Sequence, residues 1–300
     1  MNNLIVRLIR SNLNRFVEIR VSRELRRLYS QIWETAKQNG EKKVLKFLPN
    51  GSKFYCYTDS IVSEKIFSET FENEELDFIA KFLRPDEQFV DIGAHSGLFT
   101  IHGAKIVGSK GSIISFEPTP ETHKRLVENI KLNNLENVKA FSKAISAQNG
   151  CLDFYTIKDG FEAWNSLAPP PKSKSFEKIT VETIQIDRIA EMELDFEKSA
   201  LIKIDVEGWE LELLKGGKKL FEMKNAPSLM VEFTDENVTN AGTTCKELYQ
   251  YLSHLGYKLF TYNKRKGKLK SAPIKDYYPY ENIIATKNLK FIQKRLASKR

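Results

Sequence analysis

The sequence has few cysteines and no long apolar run, and each absence argues against a class of protein. Its three cysteines, Cys56, Cys151 and Cys245, lie far apart among 300 residues. Their spacing indicates neither a zinc site nor a disulfide framework, and it favours a reducing compartment such as the cytoplasm. No apolar stretch approaches the roughly 18 residues that cross a membrane. The first residues, Met1 to Ile9, include Arg7 and so lack the uninterrupted apolar core of a signal peptide.

Acidic residues are scarce at the two ends of the chain. Residues 1–48 hold 11 Lys and Arg against 4 Asp and Glu, and residues 287–300 hold 6 Lys and Arg with no acid. Because the whole chain carries +8, the middle carries −5. A nucleic-acid enzyme usually has its basic patch around its site, so no nucleic-acid partner is expected. The basic ends are suited instead to an anionic membrane surface or a protein partner.

Apolar residues recur at steps of three and four between residues 2 and 38, which predicts an amphipathic helix that Gly40 ends. Two interpretations of residues 1–38 are open. The helix packs on the domain or on a second subunit, or it lies on a membrane surface and makes the protein membrane-associated. We divide the chain into an N-terminal helix with short strands (1–70, the strands within 44–66), a main domain (71–290) and a basic C-terminal tail (291–300).

The main domain alternates strands and helices, which predicts an α/β fold with a mostly parallel sheet. The parallel strands are predicted at 88–92, 112–117, 137–144, 200–205 and 228–233. The helices are predicted at 72–83, after the first strand to about 107, and at 120–134, 208–221 and 243–255. An antiparallel pair is predicted at 150–156 and 178–184, and two further strands near 257–262 and 281–286.

The turn after the first parallel strand is typical of a ligand-binding loop. Gly93 and Gly97 leave room for a close backbone approach, and Asp91 lies at the carboxyl end of the strand, where open α/β sheets bind ligands. The pattern is D-x-G-x-x-x-G, and His95 stands where a dinucleotide loop has its second glycine. The loop is therefore less suited to a pyrophosphate. A plain turn and an NAD-type loop are the competing interpretations.

Further binding residues are expected at the ends of the next two strands. Glu117 ends the second strand, 20 residues after Gly97. An ionised carboxylate only accepts hydrogen bonds, which suits the two hydroxyls of a nucleoside ribose. Lys143 and Ala144 follow the third strand and are placed to flank an adenine.

Three carboxylates are predicted to converge at the same edge of the sheet. Asp205 ends the fourth strand, Glu207 follows it, and Glu232 lies near the end of the fifth. Close carboxylates repel one another unless a proton or cation intervenes. Three roles are open: ligands of a divalent metal such as Mg, a general base, or acceptors of backbone amides that orient the loop.

Four stretches in order resemble motifs of the FkbM family of class I S-adenosylmethionine-dependent methyltransferases. They are V-D-I-G-A-H-S-G-L-F-T, F-E-P-T-P-E, I-K-I-D-V-E-G-W-E and L-M-V-E-F, which begin at Val90, Phe116, Ile202 and Leu229. The resemblance implies a Rossmann-like sheet with helices on both faces. It also implies methylation of a hydroxyl on a sugar, glycan or natural product, with Asp205, Glu207 and Glu232 as the catalytic set. The residues expected to bind S-adenosylmethionine are Asp91, Gly93, Ala94, His95, Gly97, Glu117, Lys143 and Ala144.

Two other functions compete with methyl transfer. An NAD- or nucleotide-sugar-dependent oxidoreductase is disfavoured by the missing glycine and by the lack of a Y-x-x-x-K pair, since Ser253 stands four residues after Tyr249. A non-catalytic adaptor that binds a membrane or partner through the basic ends is disfavoured by the intact donor motifs. Residues 156–178, with Trp164 and Asn165, are interpreted as a lid over a saccharide acceptor or as a disordered insertion.

Overall fold

The computed structural model describes residues 24–157, 165–170, 175–192 and 198–298. The chain divides into two compact units. None of the helices in these ranges is long and apolar enough to cross a membrane. The smaller unit comprises Met1–Lys46 and Tyr55–Phe71, and the larger comprises Phe47–Phe54 and Glu72–Arg300.

Helices and strands alternate through most of the chain. The helices are α1 (24–38), α2 (Ile61–Phe67), α3 (Asn73–Phe82), α4 (Leu98–Val107), α5 (Pro120–Leu132), α6 (Ile186–Met192), α7 (Glu210–Lys215), α8 (Lys218–Glu222), α9 (Asp235–Asn240), α10 (Cys245–His254) and α11 (Leu289–Ala297). The strands are β1 (Lys43–Phe47), β2 (Lys53–Tyr57), β3 (Gln88–Ile92), β4 (Ser112–Phe116), β5 (Val138–Phe141), β6 (Ala144–Ile145), β7 (Gly150–Ile157), β8 (Phe176–Ile184), β9 (Ser199–Ile204), β10 (Ser228–Phe233), β11 (Lys258–Asn263), β12 (Lys268–Ser271) and β13 (Glu281–Thr286).

The smaller unit contains a helix where only strands were predicted. α2 begins after Ser60, whose hydroxyl accepts a hydrogen bond from the amide of Ser63 at 3.0 Å. This N-cap overrides the extended pattern expected across residues 44–66, so the prediction is wrong for α2. The ring of Trp33 on α1 lies 5.5 Å from that of Phe67 on α2. The rest of the predicted N-terminal helix, up to residue 23, lies outside the described residues.

The larger unit is built on an eight-stranded sheet with the order β12-β11-β13-β10-β9-β3-β4-β5. The five strands from β10 to β5 are parallel to one another, and β13, β11 and β12 join antiparallel. Every residue of β3, β9 and β10 is buried, as expected of parallel strands covered on both faces. The predicted α/β class with a mostly parallel sheet is confirmed.

Helices cover both faces of this sheet and bury two apolar clusters. On one face, helices α6 to α10 pack against residues such as Ile202 and Val231. On the other, helices α3, α4 and α11 pack against Phe89, Leu201 and Met230. Successive residues of a strand point to opposite faces, so each strand contributes to both clusters.

Two predicted elements are divided in the structure. The strand expected at 137–144 ends at Phe141, and Ala144 belongs instead to a separate sheet of order β6-β8-β7. The helix expected at 208–221 is broken into α7 and α8 at Gly216 and Gly217. A Cβ on Gly216 would lie 2.1 Å from the carbonyl oxygen of Ser146, so the break brings this segment against the small sheet.

The C-terminal residues form α11, most of which lies in the stretch predicted as a basic tail. Ile292 is fully buried among the residues of α3 and the sheet. The guanidinium of Arg295 donates to a carboxylate oxygen of Glu87 at 2.8 Å and to the carbonyl of Phe82 at 2.9 Å. Arg84 in turn donates to the carbonyl of Arg295 at 2.8 Å. These contacts anchor α11 beside the start of β3.

Candidate active site

Charged side chains interrupt one apolar face of the sheet near its carboxyl edge. Asp91 and Lys203 are partners in the parallel register of β3 and β9, and Glu232 lies two residues after Met230 on β10. All three side chains are at least 96% buried. Strand alternation places them on the face that packs against α3 and α4. Charges buried this deeply need partners, which makes this edge the first candidate for a functional site.

The glycine turn after β3 is held between the ends of β4 and β9. Gly93 has φ +82°, and a Cβ there would lie 1.7 Å from the carbonyl oxygen of Asp205. The amides of Gly93 and Ala94 donate to the carbonyl of Phe116 at 3.0 and 2.9 Å. Gly97 has φ +96° and packs against Leu126. The glycines therefore allow the loop to pack closely against its protein neighbours.

Asp91 lies beneath this turn and is fully buried. Its Oδ2 accepts a hydrogen bond from the Thr100 hydroxyl at 2.6 Å, and its Oδ1 has no hydrogen-bond partner among the described residues. Burial raises the pKa of Asp91, although nearby Lys203 acts in the opposite direction. Asp91 thus ties β3 to the first turn of α4. Its expected contact with a cofactor stays a prediction.

Glu117 joins the glycine turn to the end of β4. One carboxylate oxygen accepts from the amide of His95 at 3.0 Å, and the other accepts from the amide of Thr119 at 2.9 Å. Burial raises the pKa of Glu117 to about 7, despite the amides that stabilise its charge. Burial, helped by Arg125, lowers the pKa of His95 to about 4, so its imidazole is neutral at pH 7.

An apolar cleft of about 350 Å³ opens beside the turn. Lys143, one of the two residues expected near an adenine, lines it and pairs with the carboxylate of Glu182. A mostly apolar cleft with a few convergent polar groups suits a flat heteroaromatic ring. The cleft is lined by Ile92, Gly93, Phe116, Pro118, Lys143, Ala144, Ile145, Phe154, Leu167, Val206 and Trp209.

The structure brings Asp205, Glu207 and Glu232 together, with one carboxylate oxygen of each within 4.8 Å of the others. Glu207 accepts from the Asn237 amide at 2.5 Å. Glu232 accepts from the Thr234 hydroxyl at 2.8 Å, and its other oxygen is buried with no partner in the part of the chain that is described. Burial and the neighbouring carboxylates raise the pKa of Glu207 and of Glu232 well above the usual range.

Lys203 supplies positive charge to this cluster, and the sequence analysis gave it no role. Its Nζ lies 2.6 Å from Oδ2 of Asp205 and 4.6 Å from the ring centre of Phe99. Burial opposes its charge, but Asp205, Glu72 and Asp91 together raise its pKa. Burial would likewise raise the pKa of Asp205, and Lys203 outweighs it, so the net pKa is lowered. The feature of the sequence that could have identified Lys203 is a lysine inside an otherwise apolar strand.

Glu72 and Tyr280 lie beside the cluster, near the start of α3, and the sequence did not predict that they would be paired. The Tyr280 hydroxyl donates to Oε1 of Glu72 at 2.8 Å, and Oε2 of Glu72 has no partner among the residues described. Burial raises the pKa of Glu72 to about 8, although Lys203 opposes the shift. The neighbouring Tyr278 instead packs on Phe233, with ring centres 5.2 Å apart.

The loop after β9 is oriented by a residue that the sequence analysis did not select. One oxygen of Glu210 accepts from the amides of Val206 and Gly208 at 3.1 and 3.2 Å. Glu210 thus accepts backbone amides and orients the loop, which is one of the three roles considered for Asp205, Glu207 and Glu232. The Ser166 hydroxyl donates to the carbonyl of Glu207 at 2.7 Å. The proposed lid residue Trp164 lies outside the described residues.

The parallel sheet, the glycine turn and the carboxylates at the sheet edge form the arrangement of an α/β enzyme that binds its ligand at the carboxyl ends of the strands. The model of the "Methyltransferase FkbM domain" family matches residues 91–259, which include every residue discussed at the sheet edge except Glu72, Tyr278 and Tyr280. The chain belongs to this methyltransferase family. It is an S-adenosylmethionine-dependent methyltransferase, as its motifs predicted.

The chain is also similar to named relatives and to solved structures. Methyltransferase sdnD of Sordaria araneosa is 30% identical over 190 residues, 54% of this chain and 71% of that protein. The hexuronic acid methyltransferase AglP of Haloferax volcanii is 27% identical over 145 residues, 48% of this chain and 56% of that protein. A precorrin-6y C5,15-methyltransferase structure from Geobacter metallireducens has a TM-score of 0.41 at 12% identity, covering 73% of this chain and 87% of that one.

Proposed function

We propose that the protein transfers a methyl group from S-adenosylmethionine to a hydroxyl of a sugar, glycan or natural product. The observation that carries the proposal is the pairing of an ionised Asp205 with proton-holding acids beside the glycine turn. An alcohol is a poor nucleophile until its proton is removed, and this cluster has a carboxylate available to accept it. A relative whose name specifies a hexuronic acid supports a saccharide acceptor.

Two features of the site suit the donor. The carboxylate of Glu117 can accept further hydrogen bonds from ribose hydroxyls, because each oxygen has two lone pairs. The apolar cleft beside Lys143 and Ala144 suits the adenine. When bound, the donor supplies a methyl group on a positively charged sulfur, which the carboxylates at the sheet edge favour electrostatically.

Proton transfer is assigned to the cluster around Asp205. As the new oxygen–methyl bond forms and the sulfur–methyl bond breaks, the acceptor hydroxyl gives its proton to the Asp205 carboxylate. Lys203 keeps this carboxylate ionised beforehand, since its Nζ lies 2.6 Å away. Glu232 and Glu207 carry raised pKa values, and their protonation limits the repulsion that a second and third negative charge would cause.

A divalent cation is a second candidate for this cluster. The cluster has three carboxylates, those of Asp205, Glu207 and Glu232, and the ammonium of Lys203 is paired with one of them. A buried oxygen of Glu232 has no partner in the described ranges. Oxygen ligands of this kind suit Mg²⁺, which would lower the pKa of a bound hydroxyl. Calorimetry with S-adenosylmethionine, with its demethylated product and with NAD, each with and without magnesium, tests both assignments. A heat that does not depend on magnesium argues against the cation.

The transfer itself is tested with methyl-labelled S-adenosylmethionine and a panel of methyl glycosides. Asp205→Asn should lower the labelling rate by about 10²-fold or more, while the affinity for the demethylated product changes little; Glu232→Gln, which is neutral like the protonated Glu232, should lower the rate less. Asp153→Asn, a change at an exposed carboxylate on β7, is the matched control. Unchanged labelling in both variants would refute the role of the cluster. Binding of NAD in place of the methyl donor would favour an oxidoreductase instead.

A further inference from the structure

A second cavity, with about 580 Å³ of empty space that includes its opening to solvent, lies on the same face of the sheet as the carboxylate cluster. Its floor is formed by Met230 and Ile284, from the paired strands β10 and β13. Its wall is the first part of α3. The lining residues are Glu74, Glu75, Phe78, Met230, Thr261, Tyr262, Tyr280, Glu281, Asn282 and Ile284.

A chain of hydrogen bonds leads from this cavity to Glu72, which lies beside the carboxylate cluster. The Asn282 amide donates to Oε1 of Glu75 at 3.2 Å and to the Tyr280 hydroxyl at 3.1 Å. Tyr280 donates to Glu72, whose carboxylate is close enough to Lys203 for each to shift the pKa of the other. Asn282 is also the strand partner of Glu232. A ligand body in the cavity would therefore lie next to the carboxylate cluster to which the acceptor's proton is assigned.

The chemistry of the lining is that of a site for hydroxyl donors. Carboxylates only accept hydrogen bonds, the carbonyl oxygen of the Asn282 amide accepts, and the Thr261 hydroxyl can donate or accept. The Tyr262 and Tyr280 hydroxyls already donate to Asp77 and Glu72. The ring of Tyr280 is half exposed and offers an apolar face beside these groups. Three of the lining residues are glutamates and none is basic; one of the three, Glu281, is paired with Lys275 at 2.5 Å.

We infer that this cavity holds the body of a pyranoside acceptor that is uncharged or carries an amino group, and that Glu74 and Glu75 exclude acceptors with a carboxylate. The inference rests on the proposed function, because it names the acceptor class of the same site. It separates this chain from a relative that methylates a hexuronic acid. An anionic ring entering the cavity would face like charges at short range, and such contacts oppose binding.

The test is ligand-observed saturation-transfer NMR with three matched probes: methyl glucoside, methyl glucosaminide and methyl glucuronide. The wild-type protein should bind the first two, and the glucuronide about tenfold more weakly, which corresponds to about 1.4 kcal/mol. Equal or tighter binding of the glucuronide, or binding of none of the three, would overturn the inference. Calorimetry with the demethylated product of the donor runs alongside. If the protein binds the demethylated donor but none of the probes, only this inference is refuted. If the protein does not bind the demethylated donor, the proposed function is refuted.

The double variant Glu74→Gln/Glu75→Gln assigns the selectivity to the cavity. A glutamine at position 75 still offers an oxygen to Asn282, so the hydrogen bond at 3.2 Å can be kept. Glucuronide binding should rise about five- to tenfold, with little change for methyl glucoside. Glu222→Gln removes an exposed glutamate from the end of α8 and is the matched control. A double variant as selective as the wild type would refute the role of these glutamates.

Discussion

Replacing Gly93 by alanine separates backbone strain from close approach, because the chain contains a matched glycine. Gly93 and Gly242 have φ values of +82° and +79°. A Cβ on Gly93 would lie 1.7 Å from the carbonyl oxygen of Asp205, whereas nothing lies within 4 Å of a Cβ on Gly242. The left-handed conformation costs about 1–2 kcal/mol for an alanine at either position. Only the change at Gly93 adds the cost of overpacking, about 1–3 kcal/mol.

Gly242→Ala should therefore lower the free energy of unfolding by about 1–2 kcal/mol and Gly93→Ala by about 2–5 kcal/mol. Because Asp205 must move to make room, Gly93→Ala should also weaken binding of the demethylated donor, and Gly242→Ala should leave it unchanged. Urea unfolding followed by circular dichroism measures the first effect, and calorimetry measures the second. Equal losses of stability with equal donor affinities would refute the close approach between the turn and Asp205.

Three further changes test the charges of the site. Lys203→Met leaves buried carboxylates without their cation, so urea unfolding at pH 7 should show a loss of about 3–5 kcal/mol, and an unchanged midpoint would contradict the ion pair. Glu117→Gln turns an amide group toward a backbone N–H and should weaken calorimetric donor binding at least about tenfold; full affinity would exclude Glu117 from the donor site. Burial raises the pKa of Glu117 and Glu210 to about 7 and that of Glu72 to about 8, above the ordinary 4.5. The folded state thus keeps protons that the unfolded chain releases. The stability that these groups contribute is therefore complete below pH 4.5 and decreases as the pH rises toward 8. A urea midpoint that rises between pH 4.5 and pH 8 would contradict these shifts.

The central strands could be predicted because their signal is local. β3, β9 and β10 are short apolar runs bounded by turn residues, and runs of this kind read as buried parallel strands. The convergence of Asp205, Glu207 and Glu232 followed from the rule that neighbouring parallel strands end at one edge. These predictions needed only the order of the elements along the chain.

The rest of the site depends on contacts that no local pattern encodes. Glu72 lies before α3 and Tyr280 just before β13, 208 residues apart, and only the antiparallel addition of β13 next to β10 brings them together. Lys203 looks like an interruption of an apolar strand until Asp91 is known to be its register partner. The break between α7 and α8 likewise follows from the approach of Ser146, which the spacing of apolar residues does not reveal.

The anchoring of α11 bears on how the chain folds as it is synthesised. Arg295 is made 208 residues after its partner Glu87. At the usual 5–20 residues per second, this delay is about 10–40 s. During that time, the carbonyl of Phe82 and the carboxylate of Glu87 are without the guanidinium that holds them in the finished protein. The contacts that α11 makes at the start of the central strand thus form late, and a ribosome-bound chain halted before residue 289 should be more readily cut by protease near Phe82 than the finished protein.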